Sequence, residues 1–598
     1  MEQSRTIRFL AVLLLLALPS TAEAGRKVFS TASSFKSGLG AAIPGDTLEL
    51  ADGSYDIGGN SLTRSGTADL RIVIKAQNRG KAELKGSSAF TGKGISYVTI
   101  EGFLFTGSAS TVIKTESCSF MRITRNTFRL NETASGKWVL IGGTYNIATA
   151  NSQYNRIDHN LFENKKQLGN YITIDGSPSG LGSPEASRYD RIDHNHFRTI
   201  GPRAVNEMET IRIGQSEICR SSSYTVVEQN LFEDCDGDPE IISVKTKHSV
   251  IRYNTFRRSQ GTVCLRSSDS SVVEGNFFFG ERKSGTGGVR LYGVGHSVIN
   301  NYFNGLTGDT WDAALTITNG DAEATGSVTA HWRPQQIMVA FNTFADNANN
   351  MQFGFTNNGS YSKAPQNLTI ANNIVAGKQN PFVKIITQPT GITYSGNLMF
   401  PTGSASIGVT ATDAQIRIID PQLVLADSVW RLTAGSPAID AATTAAASVL
   451  KDITGQPRGT SRDVGAHEFL TGYRFNRPLR AEDVGPNGPD SITVVTSVGR
   501  AYATSMVPER WMMLENYPNP FNPATKVRFS IDSDGPVQAD VSIYNSVGER
   551  IVQIFHGTLH PGTVHEAVFD GSGLAGGVYF CRMTAGARTK TRSILLLK

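Results

Sequence analysis

The chain has 598 residues, with 57 Lys and Arg against 52 Asp and Glu, for a formal net charge of +5. This near balance excludes a strongly basic nucleic-acid binder, and no stripe of aromatics alternates with basic residues. The longest apolar run near the start, Phe9 to Leu18, is too short to cross a bilayer, and no other segment is a candidate membrane span.

That run follows Arg5 and Arg8 and precedes Ala22-Glu-Ala24. The order of basic, apolar and small residues predicts a secretory signal peptide over residues 1–24. The mature chain is therefore expected outside the cytoplasm. Five cysteines (Cys118, Cys219, Cys235, Cys264 and Cys581) are few for this length and lack metal-ligand spacing. Cys219 and Cys235 are a candidate pair, but the core is expected to hold the fold.

From about residue 25 to 470 a short signature recurs. It has an apolar residue, then Asn three positions later, then Phe or another apolar residue two positions after that. Copies include Val227…Asn230…Phe232, Ile251…Asn254…Phe256, Val273…Asn276…Phe278 and Val298…Asn301…Phe303. Subtracting successive Asn positions from Asn126 to Asn397 gives 34, 35, 35, 24, 22, 25, 41, 31 and 24 residues. Short intervals suit one coil of a solenoid, and longer ones suit a coil with a loop insertion. Each copy alternates apolar and polar residues, as strands do. The expected fold is all-β: a right-handed parallel β-helix. Its Asn would bond to the Asn above and below, and its Phe would stack inside. The rungs are expected to start near Val28 and run to about Phe469.

Residues 471–507 are polar and pattern-poor, with Gly485-Pro-Asn-Gly-Pro489, and read as a linker. Residues 508–598 read as a separate small β-sandwich, with strands near Lys526–Ile531, Val537–Tyr544 and Val578–Thr584 and a turn at Asn545-Ser-Val-Gly548.

Within the solenoid, Lys245, Arg266 and Arg290 precede the Asn of their own repeats by nine, ten and eleven residues. The three therefore fall at nearly one angle on successive coils. Neighbouring like charges repel, so such a column is expected to face an anion. Arg212 extends it by one coil. Just upstream lies the acidic run Asp236-Gly-Asp238-Pro-Glu240. Two carboxylates two residues apart share one side of an extended segment, and such oxygen ligands suit a hard cation. Glu240 and Lys245 differ by an odd number, which predicts a bend or bulge between them. Asp158-His159 and Asp193-His194 occupy the same place in two repeats and read as a repeated turn rather than as metal ligands.

Two resemblances follow. Leu514-Glu-Asn-Tyr-Pro-Asn-Pro-Phe-Asn-Pro-Ala-Thr525, Gly576-Gly-Val-Tyr-Phe580 and Ser593-Ile-Leu-Leu-Leu-Lys598 resemble the C-terminal sorting domain of the type IX secretion system. This implies export by that machinery, ending in release or surface attachment. The solenoid resembles polysaccharide lyase family 6, the alginate lyase and chondroitinase B family. The resemblance is carried by Asn206-Glu-Met-Glu-Thr-Ile-Arg-Ile-Gly214, by the block from Asn230 to Lys245, by Gln260-Gly-Thr-Val-Cys-Leu-Arg266, by Gly287-Gly-Val-Arg290 and by His296…Asn301-Tyr-Phe303. It implies Lys245 as Brønsted base, Arg266 as Brønsted acid, and calcium held by Asn206, Asp238 and Glu240. Arg212, Arg290 and His296 are the expected substrate contacts. The chain departs from the family pattern in three places. Asp238 stands where Glu is usual, Ser267-Ser268 where His-Gly usually follows the Arg, and Val244 where Asn commonly precedes the Lys.

The chemistry also follows from the residues. A uronate C5 proton is weakly acidic, so its carboxylate must be neutralised, and calcium does this as a Lewis acid. A base then takes the proton, and cationic neighbours favour a neutral Lys245. The leaving O4 needs charge stabilisation, which Arg266 supplies. The expectation is a secreted, calcium-assisted lyase of an acidic polysaccharide, with alginate as first choice and dermatan or chondroitin sulfate as the rival. Two other classes stay open: an inverting glycoside hydrolase using two of Asp236, Asp238 and Glu240, and a non-catalytic glycan-binding solenoid.

Overall fold

A computed structural model describes residues 24–142, 151–177, 185–469, 476–490 and, with short gaps, 512–597. The expected signal peptide up to residue 23, residues 471–475 and 491–507 of the expected linker, and the turn at 546–548 lie outside the described residues.

The repeat folds as a parallel β-helix. Its strands form three long parallel sheets, of 14, 12 and 14 strands among the described residues. In each sheet neighbouring strands follow chain order, so every coil lays one strand on each sheet. One corner of the coil explains the recurrent Asn. The residue before it takes a left-handed conformation, as at Arg125, His159, His194, Gln229 and Tyr253 (φ 56°, 53°, 54°, 54° and 57°). That conformation is costly for a side-chain-bearing residue, and it turns backbone groups out of the sheet ladder. The Asn satisfies them. Asn230 donates from Nδ2 to Asn254 Oδ1 at 3.0 Å and to the Ile192 carbonyl at 2.9 Å, while its backbone N–H donates to the same Oδ1 at 3.0 Å. The ladder continues through Asn276, Asn301, Asn342, Asn373 and Asn397. Two positions later the Phe rings stack in the core, with centroids 4.5 Å apart for Phe232 and Phe256 and 4.7 Å for Phe256 and Phe278.

The helix Ala32–Ala41 closes the first coil, burying Phe35 and Leu39, and Thr31 caps it by accepting from the Ser34 N–H. At the other end the outcome differs from the sequence reading. The last coil strand is Ile416–Ile418, not a rung near Phe469. Asp420-Pro421 follows, and Pro cannot donate to a ladder. The chain then forms a hairpin, Leu423–Ala426 with Val429–Leu432, and returns along the outside of the coils. There Val429, Ile453 and Ala466 cover Phe277, Phe279 and Tyr302. Buried Arg458 fastens this return, paired with Glu468 and donating to Asn300 Oδ1 at 2.9 Å.

Residues 476–490, read from sequence as linker, also lie on the solenoid. Asn476 donates to the Gly275 carbonyl at 2.9 Å, Leu479 and Val484 pack on Leu231, and Arg125 donates to the carbonyls of Pro486 and Gly488. The same corner holds Asp158-His159 and Asp193-His194 as a repeated turn. Their imidazoles stack at 4.7 Å, and each Nδ1 lies 2.8 Å from its own Asp. All five cysteines are buried and free, so Cys219 and Cys235 do not pair.

The C-terminal region is a β-sandwich. A three-stranded and a four-stranded antiparallel sheet enclose one core that includes Val527, Phe529, Val541, Ile543, Cys581 and Ile594.

Candidate active site

The 12-stranded sheet carries the site. Ile213, Val244, Leu265 and Leu291 point into the core from the strands Ile211–Gly214, Glu240–Lys245, Gly261–Leu265 and Thr286–Leu291. Alternation puts their neighbours on the outer face. Arg212, Ser243, Cys264 and Arg290 are register partners in one outer row. Lys245 and Arg266 follow the pair Val244 and Leu265, so they are neighbours in a second row. The single column expected from sequence is therefore two rows. The offsets of nine and eleven residues for Lys245 and Arg290 differ by two, which is one step along the same face of a strand.

The expected irregularity between Glu240 and Lys245 is present. Glu240 pairs with Thr262 and Ile242 with Val263, so the register shifts between them. Gly261 makes room for the acidic run. It takes a left-handed conformation (φ 94°), and a Cβ there would lie 2.6 Å from the Asp238 carbonyl oxygen.

Asp238 is buried and accepts from the N–H groups of Met208 at 3.2 Å and Glu240 at 2.9 Å. Burial, then the charges of Glu209 and Glu240, pushes its carboxyl up to about 7. Glu240 goes the other way. Its burial opposes ionisation, but Arg290, Lys245 and Arg266 outweigh that and bring it down to about 2. Arg290 Nη2 lies 2.9 Å from Glu240 Oε1, and Arg266 Nε lies 3.9 Å from it. Arg290, expected as a substrate contact, is itself almost fully buried and braces Glu240 from behind. Lys245 makes no hydrogen bond or ion pair to another described side chain and is half-buried. Arg212 sits 3.6 Å from Asp175, and its buried Nε has no hydrogen-bond partner among the described residues.

Asn206 is exposed and lies two residues before Met208, whose N–H reaches Asp238. The fold thus brings the Asn206 block to the acidic run. Asp238 has three features that suit a cation: burial, no ion-pair partner among the described residues, and two carboxylates beside it. Among the described residues no group of three or more His, Cys, Asp or Glu is arranged to hold a metal ion.

Two expectations need correction. His296, expected as a substrate contact, sits in a turn instead. It is buried, its Nδ1 accepts from the Ser271 N–H at 3.1 Å, and its Nε2 lies 2.8 Å from the Tyr292 carbonyl. It fills a turn, where its ring satisfies backbone groups. Asp236 is also outside the site: it pairs with Lys283 at 2.6 Å and accepts from the Gln260 N–H. It is therefore unavailable as one carboxylate of a hydrolase pair. Sequence reasoning missed Glu209, Tyr292, His331 and Tyr361. The last two sit in loops, and the sequence signals were the long intervals that contain them, 41 residues from Asn301 to Asn342 for His331 and 31 residues from Asn342 to Asn373 for Tyr361.

A family model described as chondroitinase B matches residues 29–420. The chain belongs to the chondroitinase B family of polysaccharide lyases. Residues 515–597 match the secretion system C-terminal sorting domain, which marks the chain for type IX export to the cell surface or the medium. Among solved structures, the family 6 alginate lyase AlyGC is 25% identical over 79% of this chain and 60% of its own, with TM-score 0.62. A mannuronic-acid-specific family 6 lyase from human gut microbiota is 28% identical over 66% of this chain and 91% of its own, with TM-score 0.56. The family 6 lyase Pedsa3628 from Pseudopedobacter saltans, 21% identical with TM-score 0.53, shares the fold. This chain spans about three-fifths of the AlyGC chain's length. A search of curated proteins gave no match.

Proposed function

We propose that this protein cleaves a uronic-acid polysaccharide, alginate first, by β-elimination, leaving an unsaturated uronate end. The observation that carries this is the placement of Lys245 beside Arg266 on adjoining coils, with Glu240 at the start of the strand that ends in Lys245 and buried Asp238 two residues before it. Lys245 takes the C5 proton from the uronate. The electron pair forms the C4–C5 double bond, and the bond from C4 to the leaving oxygen breaks. Arg266, held near Glu240, stabilises the charge on that oxygen while water supplies its proton. Arg212 meets a neighbouring carboxylate of the chain, since its Nε is unsatisfied on the same outer face. Arg290 acts by fixing Glu240.

Asn206, Asp238 and Glu240 would hold the calcium ion. When bound, it supplies Lewis-acid neutralisation of the uronate carboxylate, which makes the C5 proton more acidic. Support for alginate comes from the relatives at 25% and 28% identity, both described as acting on it or on its mannuronate. The family description keeps dermatan sulfate as the second substrate to test. An N-terminal signal peptide over residues 1–24 completes the proposed export route with the sorting domain.

The test is ultraviolet absorbance from the new conjugated double bond. Purified protein is mixed with alginate or dermatan sulfate, each with calcium and with chelator, and with Lys245→Ala as control. A calcium-dependent rise on alginate, lost in the variant, is the expected result. A rise on dermatan sulfate alone would replace the substrate. No rise on either polymer, in folded protein, would overturn both assignments.

A further inference from the structure

Arg266 has a second set of neighbours that the elimination chemistry leaves unused. Its Nη1 lies 3.4 Å from the Ala330 carbonyl, and its guanidinium carbon is 5.8 Å from the centre of the Tyr292 ring. Ala330 belongs to the segment between the strands Leu315–Ile317 and Gln335–Ala340, which is longer than a coil needs. That segment is firmly built. Gly320 and Lys363 exchange backbone hydrogen bonds of 2.9 and 2.8 Å. Trp332 is fully buried, donates to the Ser327 carbonyl at 2.9 Å, and lies under the Arg220 guanidinium at 4.9 Å.

A hydrogen-bonded chain of three side chains runs through it. The His331 N–H donates to Asp321 Oδ1 at 2.8 Å, and His331 Nδ1 lies 3.2 Å from Asp321 Oδ2. His331 Nε2 lies 2.9 Å from the Tyr361 hydroxyl. The imidazole also packs on Tyr292 at 4.9 Å and on Tyr361 at 4.5 Å. Burial, then the charge of Arg266, lowers His331 to about 4. The ring is therefore neutral at pH 7: Nδ1–H donates to Asp321, and Nε2 accepts from Tyr361. With both nitrogens occupied, the ring cannot turn, and the peptide that carries the Ala330 carbonyl is fixed with it.

We propose that His331, locked between Asp321 and Tyr361, is a positioning residue that aims the Arg266 guanidinium at the leaving oxygen. It acts on two supports of Arg266 at once. It fixes the Ala330 carbonyl through the chain and presses the Tyr292 ring into place. Glu240 holds the guanidinium from the other side at 3.9 Å. Without His331, Glu240 alone would hold it, and the guanidinium would turn away from Ala330. Small displacements of such a group cost rate rather than binding.

The inference rests on the lyase reading, so its test has one arm that needs activity and one that does not. In the first, His331→Ala, His331→Asn and Tyr361→Phe are compared with wild type on the polymer that wild type cleaves. His331→Ala is expected to lower kcat by about tenfold to a hundredfold with KM nearly unchanged. Asn places its amide nitrogen near the position of Nδ1, so His331→Asn keeps the bond to Asp321 and recovers part of the rate. Tyr361→Phe falls between. Unchanged kcat in His331→Ala, or a change confined to KM, overturns the proposal. The second arm is a crystal structure of His331→Ala without substrate. The expected result is an Arg266 guanidinium displaced from the Ala330 carbonyl and from Tyr292, and an unmoved guanidinium overturns the proposal even if no uronan is cleaved. Absence of activity in wild type strikes the lyase reading alone.

Discussion

Two sides of the same coils differ in how fully their polar groups are satisfied. At the Asn corner each amide bonds to its neighbour above and below, and each Phe stacks on the next. Every coil repeats the same solution. On the outer face of the 12-stranded sheet nothing repeats. Lys245 lacks a partner among the described residues, Arg212 Nε is unsatisfied, Asp238 is held up near 7, and Glu240 sits among three cations. The difference teaches that one architecture can separate stability from chemistry by face. The corner pairs the backbone groups that its left-handed bend turns out of the ladder. The outer face breaks several local rules at once, and such violations gather where a ligand is expected.

The separation can be broken from either side. The largest effect is expected on the outer face. Lys245→Ala should lower double-bond formation by about 10²- to 10⁴-fold, the usual contribution of a general base. Its melting temperature should match wild type, because the Lys245 side chain bonds to no other described side chain; scanning calorimetry beside the absorbance assay checks both.

On the corner side, Phe256→Ala removes a ring stacked on both sides and should cost about 3–5 kcal/mol in chemical denaturation. The activity per folded molecule should be retained at low temperature. A rate lost before stability would mean that the two faces are coupled.

Asp190 tests the boundary between them. It is fully buried and accepts from Asn155, but its Oδ2 has no partner among the described residues. Burial raises its carboxyl to about 6. The folded protein therefore binds more protons than the unfolded chain between about pH 4 and 6. Stability from this group is present below that window and is lost as pH rises through it. Asp190→Asn should flatten that dependence and gain roughly 1–3 kcal/mol at pH 8. Denaturant midpoints at pH 5 and pH 8 measure it, and an equal shift at both pH values would refute the assignment.

The smallest effect separates the sequence expectation for His296 from its structural role. His296→Ala should cost about 1–3 kcal/mol through unsatisfied backbone groups and leave KM unchanged. A raised KM with normal stability would restore it as a substrate contact.

Much of this was legible in the chain. The spacing of Asn and Phe gave the coil, and the odd count from Glu240 to Lys245 gave the register shift. Those features are local or periodic, so each residue's role depends on neighbours at fixed intervals. Other features were not legible for the opposite reason. His296 stands in a block that resembles a substrate site, yet a turn consumes both its nitrogens. Residues 476–490 look like linker, because the partners that hold them, among them Arg125 and Gly275, are hundreds of residues away.

The sequence by itself determined the solenoid, the sandwich after it, the family and the blocks that carry Lys245, Arg266, Asp238 and Glu240. Only the tertiary structure decided that Lys245 and Arg266 share a row while Arg290 lies behind Glu240. It alone brought Asn206 toward Asp238 and His331 toward Arg266. The physical reason is that a repeat fixes the height of each coil, whereas loops of unequal length set which side chains meet across them, and no interval in the chain encodes that meeting.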